Sequence, residues 1–272
     1  MSQYKIAKTI DEQIEYLKTN KRVKFNIIDE KEAKKILFRY NYINVISPFK
    51  HHFAKLNNKK EVVKVNGNHV YERDVEFSEY YVLYKKERQL YPEIATNVMY
   101  FESQFNSILS YRVLTTITIR NTEDLKAFLK SIKANTPNNS KYNEDRLQNI
   151  NKQIDSLLGT VEKYHDVYCF FDRLTLGNLL TIFCGLDKNI QKQILDDCKE
   201  MNINFGVNNV NAFIKKYFTL VAIRNCVMHS NSLEILVRFY NPKTKDLRKA
   251  TDKKKYTNMI KMLSKRKTLF KE

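Results

Sequence analysis

The chain has 272 residues, a formal net charge of +18, five glycines and four prolines, a composition that argues for long helices with short connections. No apolar run approaches the roughly 20 residues that a membrane span requires, and the opening MSQYKIAK has no apolar signal core. The four cysteines stand 15, 14 and 28 residues apart, which forms neither a CxxC pair nor a compact metal clip, so reduced, buried thiols in a cytoplasmic protein are expected.

In chain order, Thr9 and Glu12 make a capping box. Ile10, Ile14 and Leu17 then share a face, which predicts a first helix from Ile10 to Thr19. Asp29 and Glu32 repeat the signal ahead of Ala33, Ile36, Leu37 and Tyr40. Pro48 breaks the period within NYINVISPFKHHF. His51 and His52 are adjacent and therefore diverge; with His69 they have no acid or cysteine at matching spacing, so no metal site is expected there. β-branched residues flank Asn66-Gly67, the strongest local hairpin signal, and this is the one strand pair expected.

A helical pattern covers Glu76 to Tyr111 with a break at Pro92. Beyond it Ile94, Val98, Phe101, Phe105 and Ile108 form a core stripe, and Glu102 reads as a rim group or a surface acid. Asn121 and Asp124 open a helix carrying Leu125, Phe128, Leu129 and Ile132, after which NTPNNSKYN has the composition of a loop. Helical spacing resumes with Leu147, Ile150, Ile154, Leu157 and Val161, and again from Asp172 to Gly185 and at Ile190, Ile194 and Leu195. No internal repeat is evident.

The run NVNAFIKKYFTLVAIRNCVMHSNSL, from Asn209 to Leu233, is an almost wholly apolar helix with Arg224, Asn225 and His229 near its end. Asn225 and His229 lie four residues apart on one helical face, and Arg224 can reach round to the same spot. The last 31 residues, from Pro242, hold twelve Lys or Arg against three acids, half of the net charge, a surplus that suits phosphate backbones or acidic membrane surfaces as partners and equally a lysine-rich solvated surface. Tyr256, Met259, Ile260 and Leu263 permit one more amphipathic helix within that tail. The fold class is all-α: a helical bundle with extra N-terminal helices and one small hairpin. Its expected divisions are an N-terminal helical region 1–60, a helical domain 61–241 and a basic tail 242–272.

These landmarks, in this order, are similar to the Abi family of bacterial abortive-infection proteins in its D/F branch, which also resembles the HEPN parts of type VI CRISPR effectors. TIDEQIEYLK resembles that family's opening and DEKEAKKILFRYNYINVISPFKHHF its second helix and turn. VEFSEYYVLYKKERQLYPEIATNVMYFESQFNSILSYR resembles its central helix pair, RLTLGNLLTIFCGL its threonine-leucine-glycine element, and RNCVMHSNSL its closing motif. The resemblance implies a HEPN-like bundle and a metal-independent endoribonuclease without cofactor, in which Arg224, Asn225 and His229 are catalytic. It also implies a phage-defence or toxin-antitoxin setting, with restraint by a small RNA or a protein antitoxin.

Cleavage of RNA without metal needs a base for the 2′-hydroxyl, an acid for the departing 5′ oxygen and a cation for the phosphate. His229 suits the proton transfers, Arg224 the phosphate, and Asn225 the orientation of either. In-line displacement puts the attacking and leaving oxygens on opposite sides of phosphorus, so one imidazole cannot easily serve both. The chain holds one such motif, which predicts a composite site in a homodimer. Lys215, Lys216, Lys253, Lys254 and Lys255 are the expected RNA contacts. The competing readings are a non-catalytic RNA-binding component of a defence system, and a protein-interaction component whose basic face meets an acidic partner.

Overall fold

Local capping chemistry and apolar stripes account for most elements of the computed structural model, which describes residues 8–58, 62–65, 68–139, 144–164, 166–241, 246–247 and 250–264. In order these are α1 (Ile10–Lys21), β1 (Val23–Lys24), α2 (Glu30–Tyr40), α3 (Tyr42–Val45), β2 (Lys64–Val65), β3 (Asn68–His69), β4 (Val75–Glu76), α4 (Phe77–Arg88) and α5 (Tyr91–Thr116). There follow α6 (Thr122–Asn139), α7 (Glu144–Leu158), α8 (Val167–Asp172), α9 (Leu176–Gly185), α10 (Lys188–Glu200) and α11 (Val210–Met228). The last are α12 (Leu233–Arg238), β5 (Phe239–Asn241), β6 (Asp246–Leu247) and α13 (Ala250–Leu263). The chain divides into two units, Met1–Pro92 with Cys226–Thr257, and Glu93–Asn225 with Asn258–Glu272.

In the first unit, the Glu12 carboxylate accepts the Thr9 N–H at 2.6 Å while Thr9 Oγ1 accepts the Glu12 N–H at 3.2 Å, closing the capping box. Asp29 caps α2 through the Glu32 N–H at 2.7 Å. Ile14, Leu17, Ile36, Leu37, Val45, Phe77 and Tyr80 meet in one core, each side chain contributing about 1.5–3 kcal/mol of apolar burial. Lys21 is buried beside it, with its ammonium 3.2 Å from the His69 carbonyl and over the rings of Tyr16 and Tyr71.

The expected hairpin is present, with Lys64 opposite His69 and Val65 opposite Asn68; Asn66 and Gly67 themselves lie outside the described residues. It is not the one strand pair. β1 runs parallel to β4, with Val23 opposite Val75, and β5 runs antiparallel to β6. Strands of two or three residues are too short to show a period of two, and a parallel partner some 50 residues away leaves no local mark. Helices still dominate and the all-α class stands, because each of these pairs is only two-stranded.

In the second unit the buried stripe of α5 is Ile94, Val98, Phe101, Phe105, Leu109 and Val113, with Leu109 taking the inward position expected for Ile108. Phe105 packs against Tyr217 and Phe213 of α11 and Phe183 of α9, at ring-centroid distances of 4.5, 5.8 and 5.8 Å. α6 continues to Asn139, through the first five residues of the stretch expected to be a loop, while residues 140–143 lie outside the described ones. Propagation from the buried Leu125, Phe128, Leu129 and Ile132 outweighs the weak helix propensity of those last residues.

Candidate active site

The Asn209 side chain accepts the Ala212 N–H at 2.8 Å and starts α11. Phe213, Ile214, Tyr217, Leu220 and Ile223 are buried along it, and Arg224 and Asn225 follow in its last turns. The helix stops in a Schellman arrangement: the Asn231 N–H reaches the Cys226 carbonyl at 2.8 Å, and the Ser230 N–H reaches that of Val227 at 3.2 Å. Ser230 holds the left-handed position, with φ at 54°, which makes His229 the C-cap residue. Asn225 and His229 are exposed.

Arg224 is held from one side. Its Nε lies 3.6 Å from Glu102 Oε2, with the two side chains 22% and 19% exposed, so the pair is largely withdrawn from solvent. At that length the contact is an ion pair rather than a hydrogen bond, and the buried Nε has no hydrogen-bond acceptor among the described residues. Nη1 donates a long hydrogen bond, 3.4 Å, to Asn225 Oδ1. The other Glu102 oxygen, Oε1, accepts the Leu176 N–H at 2.6 Å, at the first residue of α9. Thr175 caps that same helix end, its Oγ1 accepting the Asn178 N–H at 3.4 Å while the hydroxyl donates to Asn178 Oδ1 at 2.7 Å. The threonine-leucine-glycine element therefore supplies the amide that orients the carboxylate beside Arg224. Glu102 is not the ordinary surface acid that its place next to the α5 stripe allowed.

The residues after His229 are gripped by the end of α4 and the first residue of α5. Arg88 Nη2 donates to the Ser230 carbonyl at 2.6 Å, and Tyr91 Oη donates to the Asn231 carbonyl. Glu87 Oε1 accepts both Ser232 Oγ at 2.8 Å and the Glu234 N–H at 2.9 Å, which caps α12. Burial pushes the Glu87 carboxyl above its ordinary range, and these two hydrogen bonds partly offset that. Sequence reasoning placed none of the three: Glu87 and Arg88 end α4 and Tyr91 opens α5 across a two-residue turn, so no single helical period links them.

A family model described as Abi-like protein matches residues 35–233, well over half of the chain, from within α2 to the start of α12. The chain belongs to the Abi-like family. No curated protein and no solved structure matches it. The matched span takes in Glu87, Arg88, Glu102, the start of α9 and the whole Arg-Asn-x3-His motif of this Abi-like chain.

Of the lysines expected to meet RNA, Lys215 and Lys254 are exposed, and Lys216, Lys253 and Lys255 are half-buried. Part of the basic tail is a packed helix: Met259 and Leu263 are buried, and Asn97 Nδ2 donates to the Leu263 carbonyl at 2.5 Å. Truncation after Pro242 would thus remove core along with charge, and substitution of single lysines is the cleaner test. Cys184, Cys198 and Cys226 are buried free thiols and Cys169 is half-buried. Among the described residues no group of three or more His, Cys, Asp or Glu could hold a metal ion, and no helix is long and apolar enough to cross a membrane.

Proposed function

We propose that this Abi-like chain is a HEPN-type, metal-independent endoribonuclease acting as an abortive-infection toxin. The observation that carries the reading is the treatment of Arg224: a carboxylate holds its Nε edge, Nη1 makes a long 3.4 Å contact to neutral Asn225 that a phosphate can replace, and exposed His229 follows at the C-cap of the same helix. Arg224 binds the non-bridging phosphate oxygens and stabilises the charge that develops on them in the transition state. His229 takes the proton of the 2′-hydroxyl or returns one to the departing 5′ oxygen. Asn225 orients the phosphate or the imidazole.

Since the two proton transfers occur on opposite sides of phosphorus, we place the working site in a homodimer, with the same three residues from each copy. RNA is the substrate, and an antitoxin, either RNA or protein, restrains the toxin. The products are a 2′,3′-cyclic phosphate and a 5′-hydroxyl, because the nucleophile belongs to the RNA.

Purified protein should cleave RNA in the presence of chelator and release cyclic-phosphate ends, and His229→Ala should abolish this. Cleavage that survives in His229→Ala, or that requires a divalent metal, overturns the proposal. Mixing parent with excess His229→Ala chains tests the composite site: parent subunits drawn into mixed dimers should lose most of their activity, whereas activity in proportion to the parent chains present, or a monomer that cleaves, shows a site complete in one chain. Binding without cleavage by the intact protein would favour the second reading, a non-catalytic RNA-binding component, for which exposed Lys215 and Lys254 speak.

A further inference from the structure

On α4, Tyr81, Tyr84, Lys85 and Arg88 are spaced at i, i+3, i+4 and i+7 and share one side of the helix. Arg39 and Tyr40, the last residues of α2, lie alongside. Tyr40 is 5.2 Å from Tyr84 and 6.3 Å from Tyr81 between ring centroids, and the Tyr81 and Tyr84 rings are nearly parallel, 6.2 Å apart at 13°. Each ring has its own cation: Arg39 at 5.9 Å from the Tyr40 centroid, Lys85 at 4.7 Å from Tyr81 and Arg88 at 5.0 Å from Tyr84. Tyr84 is buried and anchors the group; Tyr40 and Tyr81 are half-buried, and Arg39 and Lys85 are exposed. The strip ends where Arg88 grips the Ser230 carbonyl, one residue past His229.

We infer that this strip is a landing platform for single-stranded RNA, leading the strand toward His229. The inference rests on RNA being the ligand, as proposed above. Core packing accounts for only part of it: Phe77, Tyr80 and Tyr84 are buried, while Tyr40 and Tyr81 pack against the edge of that core and stay half-exposed, with Arg39 and Lys85 in solvent beside them. A tyrosine face accepts any base; the exposed Arg39 and Lys85, which lie over the Tyr40 and Tyr81 rings, swing aside to meet the phosphate of the nucleotide stacked there. A duplex keeps its base faces stacked on one another and cannot use the rings. An acidic peptide would use the cations alone.

The test is binding of a short, fluorescently labelled, fully 2′-O-methylated single-stranded RNA to the intact chain across a salt series; the blocked 2′ oxygen prevents cleavage. Tyr81→Leu should weaken binding by about tenfold or more without changing the salt slope, since a stacking contact and no phosphate contact is lost. Tyr81→Phe should bind as the parent does. Lys85→Gln should lower the log-log salt slope by about 0.7. This lysine measurement stands even if Tyr81→Leu fails to fold. The platform is overturned if folded Tyr81→Leu binds within about twofold of the parent, a change far below the loss of one stacked base. It is also overturned if inorganic polyphosphate or polyglutamate loses binding equally in that variant, which would mark an anion or protein surface. Because the probe cannot be cleaved, the two proposals fail separately. An inactive chain that holds RNA through Tyr81 sinks the nuclease and supports the platform, and an active chain indifferent to Tyr81 does the reverse.

Discussion

Replacing Glu102 with Ala removes two contacts at once, the 2.6 Å acceptor of the Leu176 N–H and the 3.6 Å partner of Arg224. A hydrogen bond from a backbone amide to a charged acceptor is worth about 1.5–3 kcal/mol. The ion pair, with both side chains about one-fifth exposed, adds up to roughly 1 kcal/mol after allowance for solvent. Glu102→Ala should therefore destabilise by about 1.5–4 kcal/mol, less than the roughly 5–15 kcal/mol typical of a folded domain. Glu102→Gln keeps a carbonyl acceptor for Leu176 and should cost about 1 kcal/mol. Urea denaturation of the parent and both variants reads these values. If Arg224 acts on phosphate, the Gln variant should lose kcat by roughly tenfold to a hundredfold with a smaller change in KM, since a freed guanidinium is misplaced rather than absent. A Glu102→Ala chain within about 0.5 kcal/mol of the parent, the range of an ordinary surface substitution, would refute the claim that this carboxylate anchors the start of α9 and Arg224.

Three further outcomes follow from buried or strained groups. Burial, reinforced by neighbouring His51 and lysines, lowers the His69 pKa from 6.5 to about 3. Below pH 6.5 the unfolded chain takes a proton that the folded chain refuses, so stability should fall as the pH drops from 6.5 toward 3, and His69→Gln should flatten that fall in urea melts. Glu87 is raised instead: the folded chain keeps its proton to higher pH than the unfolded one, so its contribution is greatest below the ordinary carboxylate range and is lost as pH rises. Glu87→Gln, which retains the acceptor for Ser232 and Glu234, should match the parent in acid and gain on it near neutrality; an unchanged difference across the range would show that the carboxyl is not desolvated. Ser230→Gly relieves a left-handed backbone and should raise the thermal midpoint, by up to about 1 kcal/mol in stability, without altering RNA binding.

The amino-acid order alone determined where helices begin and which faces they bury. Capping at Thr9, Asp29 and Asn209 and the stripes on α5 and α11 depend on residues three or four apart, and such contacts form whatever the rest of the chain does. The same locality exposed the Arg224, Asn225 and His229 motif as a polar cluster ending an apolar helix. Where local propensity and a growing helix disagreed, at Asn135–Asn139, the helix prevailed because each added residue costs little once the turn before it is packed. Only tertiary structure decided the pairing of β1 with β4, the docking of Met259 and Leu263, and the surroundings of the motif. Glu102 reaches an amide 74 residues further on, and Arg88 a carbonyl 142 residues further on. Neither partner shares a helical period with the other, so no spacing could announce them: a side chain's partner is chosen by which helices pack, and that choice is made by the summed burial of the whole core.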